Sequence, residues 1–399
     1  MSNLMTHTLP EKLKQSYRAE VQKTIEDKRI ARIWEKDATV WTGADESKWL
    51  GWLTIVEEEL QNVAAYRELR ADIEAAGFTD TLLMGMGGSS LCPEVLALTF
   101  GVDNFHILDS TVPAQVITTE SKLDLTKTLC IVASKSGSTL EPNCFKQYFF
   151  DRVSKAVGAD KAGQHFIAIT DPGSKMQKIA EADGFRNILY GKPESGGRFS
   201  ALSAFGLTAA AAMGLDVERL LKSAESMVRS CKATNPNENP GTILGNILGV
   251  CHREGRDKLT LFTPPEFYDL GAWLEQLIAE STGKNGLSII PVDRETLQSA
   301  DMYGDDRVFV NFTLKGAKVD EETLADLADI AESHPMVNIE LTDKYSLGQE
   351  FFRWEFATAV AGSTTTAGSS PATGSGSASE PNGPATQSLS SAKATPPPS

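Results

Sequence analysis

Thr81-Leu82-Leu83-Met84-Gly85-Met86-Gly87-Gly88-Ser89-Ser90 is the stretch whose reading decides the fold. A short apolar run over Thr81–Met86 predicts a strand, its glycines a tight turn, and a helix opens near Ser90. The same texture returns downstream. Strands are predicted at Phe105–Leu108, Leu129–Ser134, His165–Thr170 and Asn187–Leu189, with helices over Thr139–Val153 and Ser174–Ala182. Strands alternating with helices imply an α/β fold, a parallel sheet with helices on both faces. Residues 200–256 read mostly as helix. A second alternation follows, with strands at Leu259–Phe262, Ser288–Pro291, Val308–Asn311 and Val337–Leu341 and helices over Leu270–Ser281, Glu321–Glu332 and Gly348–Ala361. Upstream, Leu13–Trp34 and Asp45–Leu69 carry helical spacing, the latter with Trp49, Trp52, Val56 and Leu60 on one stripe. Both read as packing helices without chemistry.

Two glycine–serine turns carry the first chemical information. Gly85–Ser90 follows a strand and opens a helix, where backbone N–H groups and the helix dipole favour an anion. Gly85 and Gly87 begin a dinucleotide fingerprint, with Asp109 near the place of a ribose-binding acid, but Ser90 replaces the third glycine. Ser134-Lys135-Ser136-Gly137-Ser138-Thr139 repeats the strand–turn–helix arrangement with four hydroxyls, as a phosphate monoester requires. Part of that set, Thr139 with Glu141, reads as ordinary helix capping. Two such turns at successive strand ends point to one phosphorylated ligand at the carboxyl edge of the sheet. Gly196-Gly197-Arg198 lets backbone pass close to a ligand while a guanidinium reaches it. Glu280 ends an apolar helix, where a carboxylate opposes the dipole.

Together these segments resemble the glucose-6-phosphate isomerase family, built from two sugar-isomerase (SIS) units. The carriers are GMGGSSLCPEV (85–95), SKSGSTLEPN (134–143), GGRFSALSAFG (196–206) and EQLIAESTGKNGLSIIPV (275–292), in the family's order. RIWEKDATVWT, KWLGWL and LGQEFFRWEFATAVAG resemble, more narrowly, the isomerase half of transaldolase–isomerase fusions. The resemblance implies a helical segment over 1–75, a first SIS unit over 76–215 and a second over 216–362. It implies that Gly88, Ser89, Ser134, Lys135, Ser136, Ser138, Thr139 and Gly197 bind substrate. Arg198 would stabilise the enediolate and Glu280 would move the proton. No metal and no redox cofactor is needed, and a homodimer located in the cytoplasm is expected. Other readings are a sugar-phosphate-binding protein that has lost the chemistry, and an isomerase of another hexose phosphate.

Two departures accompany the resemblance. Gln298 stands where the family carries a ring-opening His, and the family's closing segment with a Gln and a Lys has no counterpart. The second unit therefore reads as truncated, its last helix short of a packing partner, and its activity as reduced. Residues 363–399 are almost wholly Ser, Thr, Ala, Gly, Pro, Gln and Asn, a composition expected to be disordered.

Composition excludes other classes. The chain has 399 residues, 38 basic and 53 acidic, for a net charge of −15. An acidic surface does not suit nucleic acid or an anionic membrane. No run of 18 apolar residues offers a membrane span. The N-terminal residues lack the apolar core of a secretory signal. Five scattered cysteines read as buried reduced thiols, and no histidine pair has metal-ligand spacing.

Overall fold

The computed structural model describes residues 3–284 and 286–365. The chain opens with strand β1 (Leu4–Thr8) and helices α1 (Glu11–Glu26), α2 (Arg29–Trp34), α3 (Trp52–Gln61) and α4 (Val63–Ala75). A first alternation runs β2 (Asp80–Met84), α5 (Leu91–Phe100), β3 (Phe105–Leu108), α6 (Pro113–Glu120), β4 (Thr128–Ala133), α7 (Leu140–Val157), β5 (Phe166–Thr170), α8 (Lys175–Ala182) and β6 (Asn187–Tyr190). Helices α9 (Ala204–Ala212), α10 (Val217–Cys231) and α11 (Pro240–Arg253) lead into the second. That comprises β7 (Lys258–Phe262), α12 (Leu270–Thr282), β8 (Ile290–Val292), β9 (Arg307–Leu314), α13 (Glu321–Ser333), β10 (Met336–Leu341) and α14 (Leu347–Thr364).

The first sheet is parallel throughout, in the order β3-β2-β4-β5-β6. Its strands are apolar runs because both faces are covered. In β4, Leu129, Ile131 and Ala133 face one core, while Cys130 and Val132 face another with Phe149 of α7 and Met176 of α8. The second sheet runs β1-β10-β9-β7-β8, and only its edge strand β1 is antiparallel. Inner residues of both sheets, such as Ile131 and Val310, belong to one core, which also takes in α3, α5, α9, α10, α11, α12 and α14. The layers therefore stack as helix, sheet, a shared helical layer, sheet and helix.

Three expectations need correction. The first 75 residues are not all helix. The side chains of β1 are mostly exposed and show no buried alternation, so its sequence carries no strand pattern. Its partner is the edge of β10, more than 300 residues away, paired from Leu4↔Glu340 to Thr8↔Met336. Asn3 fixes the strand, its N–H donating to Gln349 Oε1 at 2.7 Å and its Nδ2 to Glu350 Oε1 at 2.7 Å. Second, the helix expected over Leu13–Trp34 breaks at Lys28, which adopts φ +48. Third, the last helix does not lack packing partners. Helix α14 packs on α10, α11 and α12 and is buried on every side. It also runs two residues past Gly362, so Ser363 and Thr364 belong to it. The remainder of the expected disordered stretch, 366–399, lies outside the described residues.

Candidate active site

The chain leaves β2 toward β3 on one side and later returns to β4 on the other. The carboxyl ends of β2 and β4 are thus the point where strand order reverses, the usual ligand crevice of an open α/β sheet. A cavity of about 420 Å³ opens there. It is lined by Gly88 and Ser89 from the first turn and by Ser134, Lys135, Ser136 and Thr139 from the second. Gly197 and Arg198 come from the third segment, and Glu280 from α12. Nine of the ten residues singled out in the sequence thus meet at one place. The tenth, Ser138, is exposed and outside the lining, its Oγ 2.6 Å from Ser136 Oγ.

The serine turn presents Ser134, Ser136 and Thr139 to the cavity. Gly137 sits at φ +68, and a Cβ there would fall 2.2 Å from Met176 N, so only glycine fits. Asn143, one turn into α7, donates from Nδ2 to the carbonyls of Gly137 and Thr139 at 3.0 and 2.7 Å. Thr139 occupies the N-cap of α7 but makes no side-chain capping bond, which corrects the reading of it as an ordinary cap. The Ser134 hydroxyl is buried and has no hydrogen-bond partner among the described residues. Such a group costs free energy until something meets it, and a phosphate oxygen is a suitable partner.

Lys135 is the exception among the turn residues. Its ammonium is held by Asp171 and donates to the Lys192 carbonyl at 3.0 Å. It ties the serine turn to the segment before Arg198 and borders the cavity as a strut. Burial pushes the Asp171 carboxyl up, and Lys135 pulls it back down.

The opposite chemistry lies on α12 and the arginine turn. Arg198 is 3% exposed at its side chain, and its Nε donates to Ser281 Oγ at 2.7 Å. Its NH1 lies 3.6 Å from Glu280 Oε2. Burial lowers the guanidinium's pKa and the Glu280 charge raises it; an arginine remains a cation in a protein. Glu280 is half exposed, so the carboxylate is open to a ligand while Arg198 is withdrawn from water. Gln276, one turn earlier, donates from Nε2 to Glu280 Oε1 at 3.1 Å and fixes the carboxylate's orientation. Lys284 lies close enough to feel both groups. Burial lowers its pKa, Arg198 lowers it further, and Glu280 raises it.

Sequence reasoning missed Trp49, Asp171 and Gln276, all of which line the cavity. Gln276 shares its helix face with Glu280 at i, i+4, a spacing that could have pointed to it. Gln298 is exposed, takes no part in the cavity lining, and donates from Nε2 to the nearby Thr296 carbonyl.

Comparison with known proteins agrees with this architecture. A hypothetical protein from Thermus thermophilus superposes with a TM-score of 0.74 over 92% of this chain and 96% of that one, at 23% identity. The chain belongs to the phosphoglucose isomerase family, whose model matches residues 70–303. Among curated relatives, the glucose-6-phosphate isomerase of Methanocaldococcus jannaschii is 27% identical over 286 residues, covering 68% of this chain and 67% of that protein. That of Trichormus variabilis is 30% identical over 292 residues, covering 65% of this chain and 54% of that protein. The chain thus spans between about half and two thirds of the length of these relatives. No helix among the described residues is long and apolar enough to cross a membrane.

Proposed function

We propose that this chain interconverts glucose 6-phosphate and fructose 6-phosphate, an aldose–ketose isomerisation through an enediol. The observation that carries the reading is the pairing of Glu280 with Arg198 on a cavity that also holds the Ser134–Thr139 turn. The turn's hydroxyls and backbone N–H groups take the phosphate, which fixes the substrate far from its reacting carbons. Glu280 removes the C2 proton of the open-chain aldose. The released electron pair forms the C1=C2 bond, and negative charge passes to the C1 oxygen. Arg198 stabilises that charge from a desolvated position, where a cation acts most strongly. Glu280 then returns its proton to C1 while the proton of the C2 hydroxyl passes to the C1 oxygen, which leaves the C2 carbonyl and the C1 hydroxyl of the ketose. Gln276 holds the carboxylate between the two carbons.

The test is a coupled assay of fructose 6-phosphate conversion, with the wild-type chain and Glu280→Gln side by side and binding followed by calorimetry. The expected result is turnover in the wild type, a loss of at least about 10²-fold in the variant, and unchanged binding. A folded wild-type chain that binds the sugar phosphate without turning it over would overturn the catalytic reading. So would a Glu280→Gln variant that keeps its rate.

A further inference from the structure

Among the described residues, Trp49 is the one aromatic side chain lining the cavity, and the chemistry assigned so far does not use it. It comes from the segment ahead of α3, outside both strand–helix alternations. Its backbone neighbours are joined to the arginine segment. Leu50 forms an isolated antiparallel bridge with Ser195, and Gly51 N–H donates to the Glu194 carbonyl at 2.9 Å. A Cβ at Gly51 would lie 2.9 Å from that same oxygen, so the two segments are as close as backbones allow. The indole is also fixed in rotation, its Nε1 donating to Asp45 Oδ2 at 3.1 Å. That bond occupies the only donor the ring has. What the cavity receives from Trp49 is therefore ring surface.

A hexose 6-phosphate presents three kinds of surface. The phosphate suits the serine turn, and the reacting carbons suit Glu280 and Arg198. What is left is the C–H face of the intervening carbons, polarised by their oxygens. An aromatic face carries negative charge at its centre and attracts such hydrogens, beyond the gain from excluding water. We infer that Trp49 is the platform on which the carbon skeleton of the sugar lies. It is a positioning and specificity residue that holds C1 and C2 at Glu280 and favours hexose phosphates over phosphate esters too short to cover the ring. This rests on the sugar-phosphate reading above, but concerns binding and not proton transfer.

The test uses the full chain, with Trp49→Ala and Trp49→Phe, and two probes, fructose 6-phosphate and inorganic phosphate. In Trp49→Ala the affinity for fructose 6-phosphate, measured by calorimetry, should fall about tenfold, while that for inorganic phosphate stays within twofold. Trp49→Phe should recover most of the loss. The indole fluorescence change on sugar-phosphate binding should vanish in Trp49→Phe, although five other tryptophans remain. Equal weakening toward both probes would make Trp49 a mere support of the arginine segment and would overturn the inference. So would unchanged affinity in the alanine variant, or no binding of fructose 6-phosphate by the wild type. Because the readout is binding, a chain that binds but does not turn over would sink the proposed reaction and leave this inference standing.

Discussion

Gly88→Ala is the substitution whose consequence can be worked most directly from the geometry. The first glycine–serine turn and the arginine turn meet backbone to backbone at this position. A Cβ on Gly88 would lie 2.1 Å from Gly197 O, 2.4 Å from Gly197 C and 3.0 Å from Arg198 N. All three atoms are main chain, so no side chain can rotate away. Reaching an ordinary contact of 3.4 Å requires the turns to part by about 1.3 Å. The Ser200 hydroxyl, 3.2 Å from the Gly88 carbonyl, would be disturbed in the same movement. Overpacking of this kind costs roughly 1–3 kcal/mol of stability. The larger effect falls on catalysis, since Arg198 leaves its place relative to Glu280. A misplacement of about 1 Å costs on the order of 10²-fold in rate, or about 2.7 kcal/mol of barrier.

The assay is kcat/KM for fructose 6-phosphate, with the thermal midpoint measured on the same preparations. Gly197→Ala supplies the contrast, because a Cβ there meets nothing within 4 Å although the residue sits across the same contact. Its thermal midpoint should stay at the wild-type value, and that of Gly88→Ala should fall by several degrees. A Gly88→Ala chain that keeps its midpoint and its kcat/KM within threefold would refute the claim that backbone contact between the turns sets the catalytic geometry.

Two further outcomes follow from buried groups. Glu355 of α14 is fully buried and neither carboxylate oxygen has a partner among the described residues, so burial pushes its pKa well above the ordinary range. The folded chain then holds a proton that the unfolded chain releases above its normal pKa, and stability falls as pH rises through that window, by up to about 1.4 kcal/mol per pH unit. Glu355→Gln should gain on the wild type steadily from pH 5 to pH 8 in urea unfolding, and a pH-independent difference would count against the assignment. Among the cysteines only Cys144 is exposed, while burial raises the thiol pKa values of Cys92, Cys130, Cys231 and Cys251, the last two to about 12. Iodoacetamide on the native chain should label Cys144 alone, read by peptide mass spectrometry, with the other four reacting only in denaturant.

The parts of the site legible in the sequence are those whose requirement is local. Gly137 sits at φ +68, a requirement contained in its own turn. Glu280 is conspicuous because a carboxylate at a helix C-terminus is unfavourable on its own terms. What cannot be read is what depends on partners distant in sequence. Strand β1 exists because β10 offers an edge, and five mostly exposed residues carry no pattern of their own. Trp49 reads as part of a packing stripe with Trp52 and Val56. Those two are buried in the core, whereas Trp49 sits in a separate short turn, packs against the edge of that core and also borders the cavity. Lys135 is expected among the substrate-binding residues by resemblance, and only the fold reveals that Asp171 and the Lys192 carbonyl hold its ammonium.

The distribution of the site over the chain has a physical consequence. The glycine–serine turns belong to the first sheet, but Glu280 rides on α12, which follows β7 of the second. Glu280 therefore meets the serine turn at one cavity only because both sheets share one helical layer. Within it Phe351 of α14 packs edge-on against Trp273 of α12, ring centres 4.9 Å apart, and Trp354 of the same helix meets Phe312 of β9 at 6.0 Å. Helix α14 contributes nothing to the cavity lining, yet it packs directly on α12. A core packed at crystal-like density passes a displaced ring on to its neighbours. The position of the Glu280 carboxylate in the cavity is thus set partly by a helix that does not line it. On the proposed mechanism, changes along α14 should register in the rate before they register in binding, because the serine turn proposed to take the phosphate belongs to the other sheet.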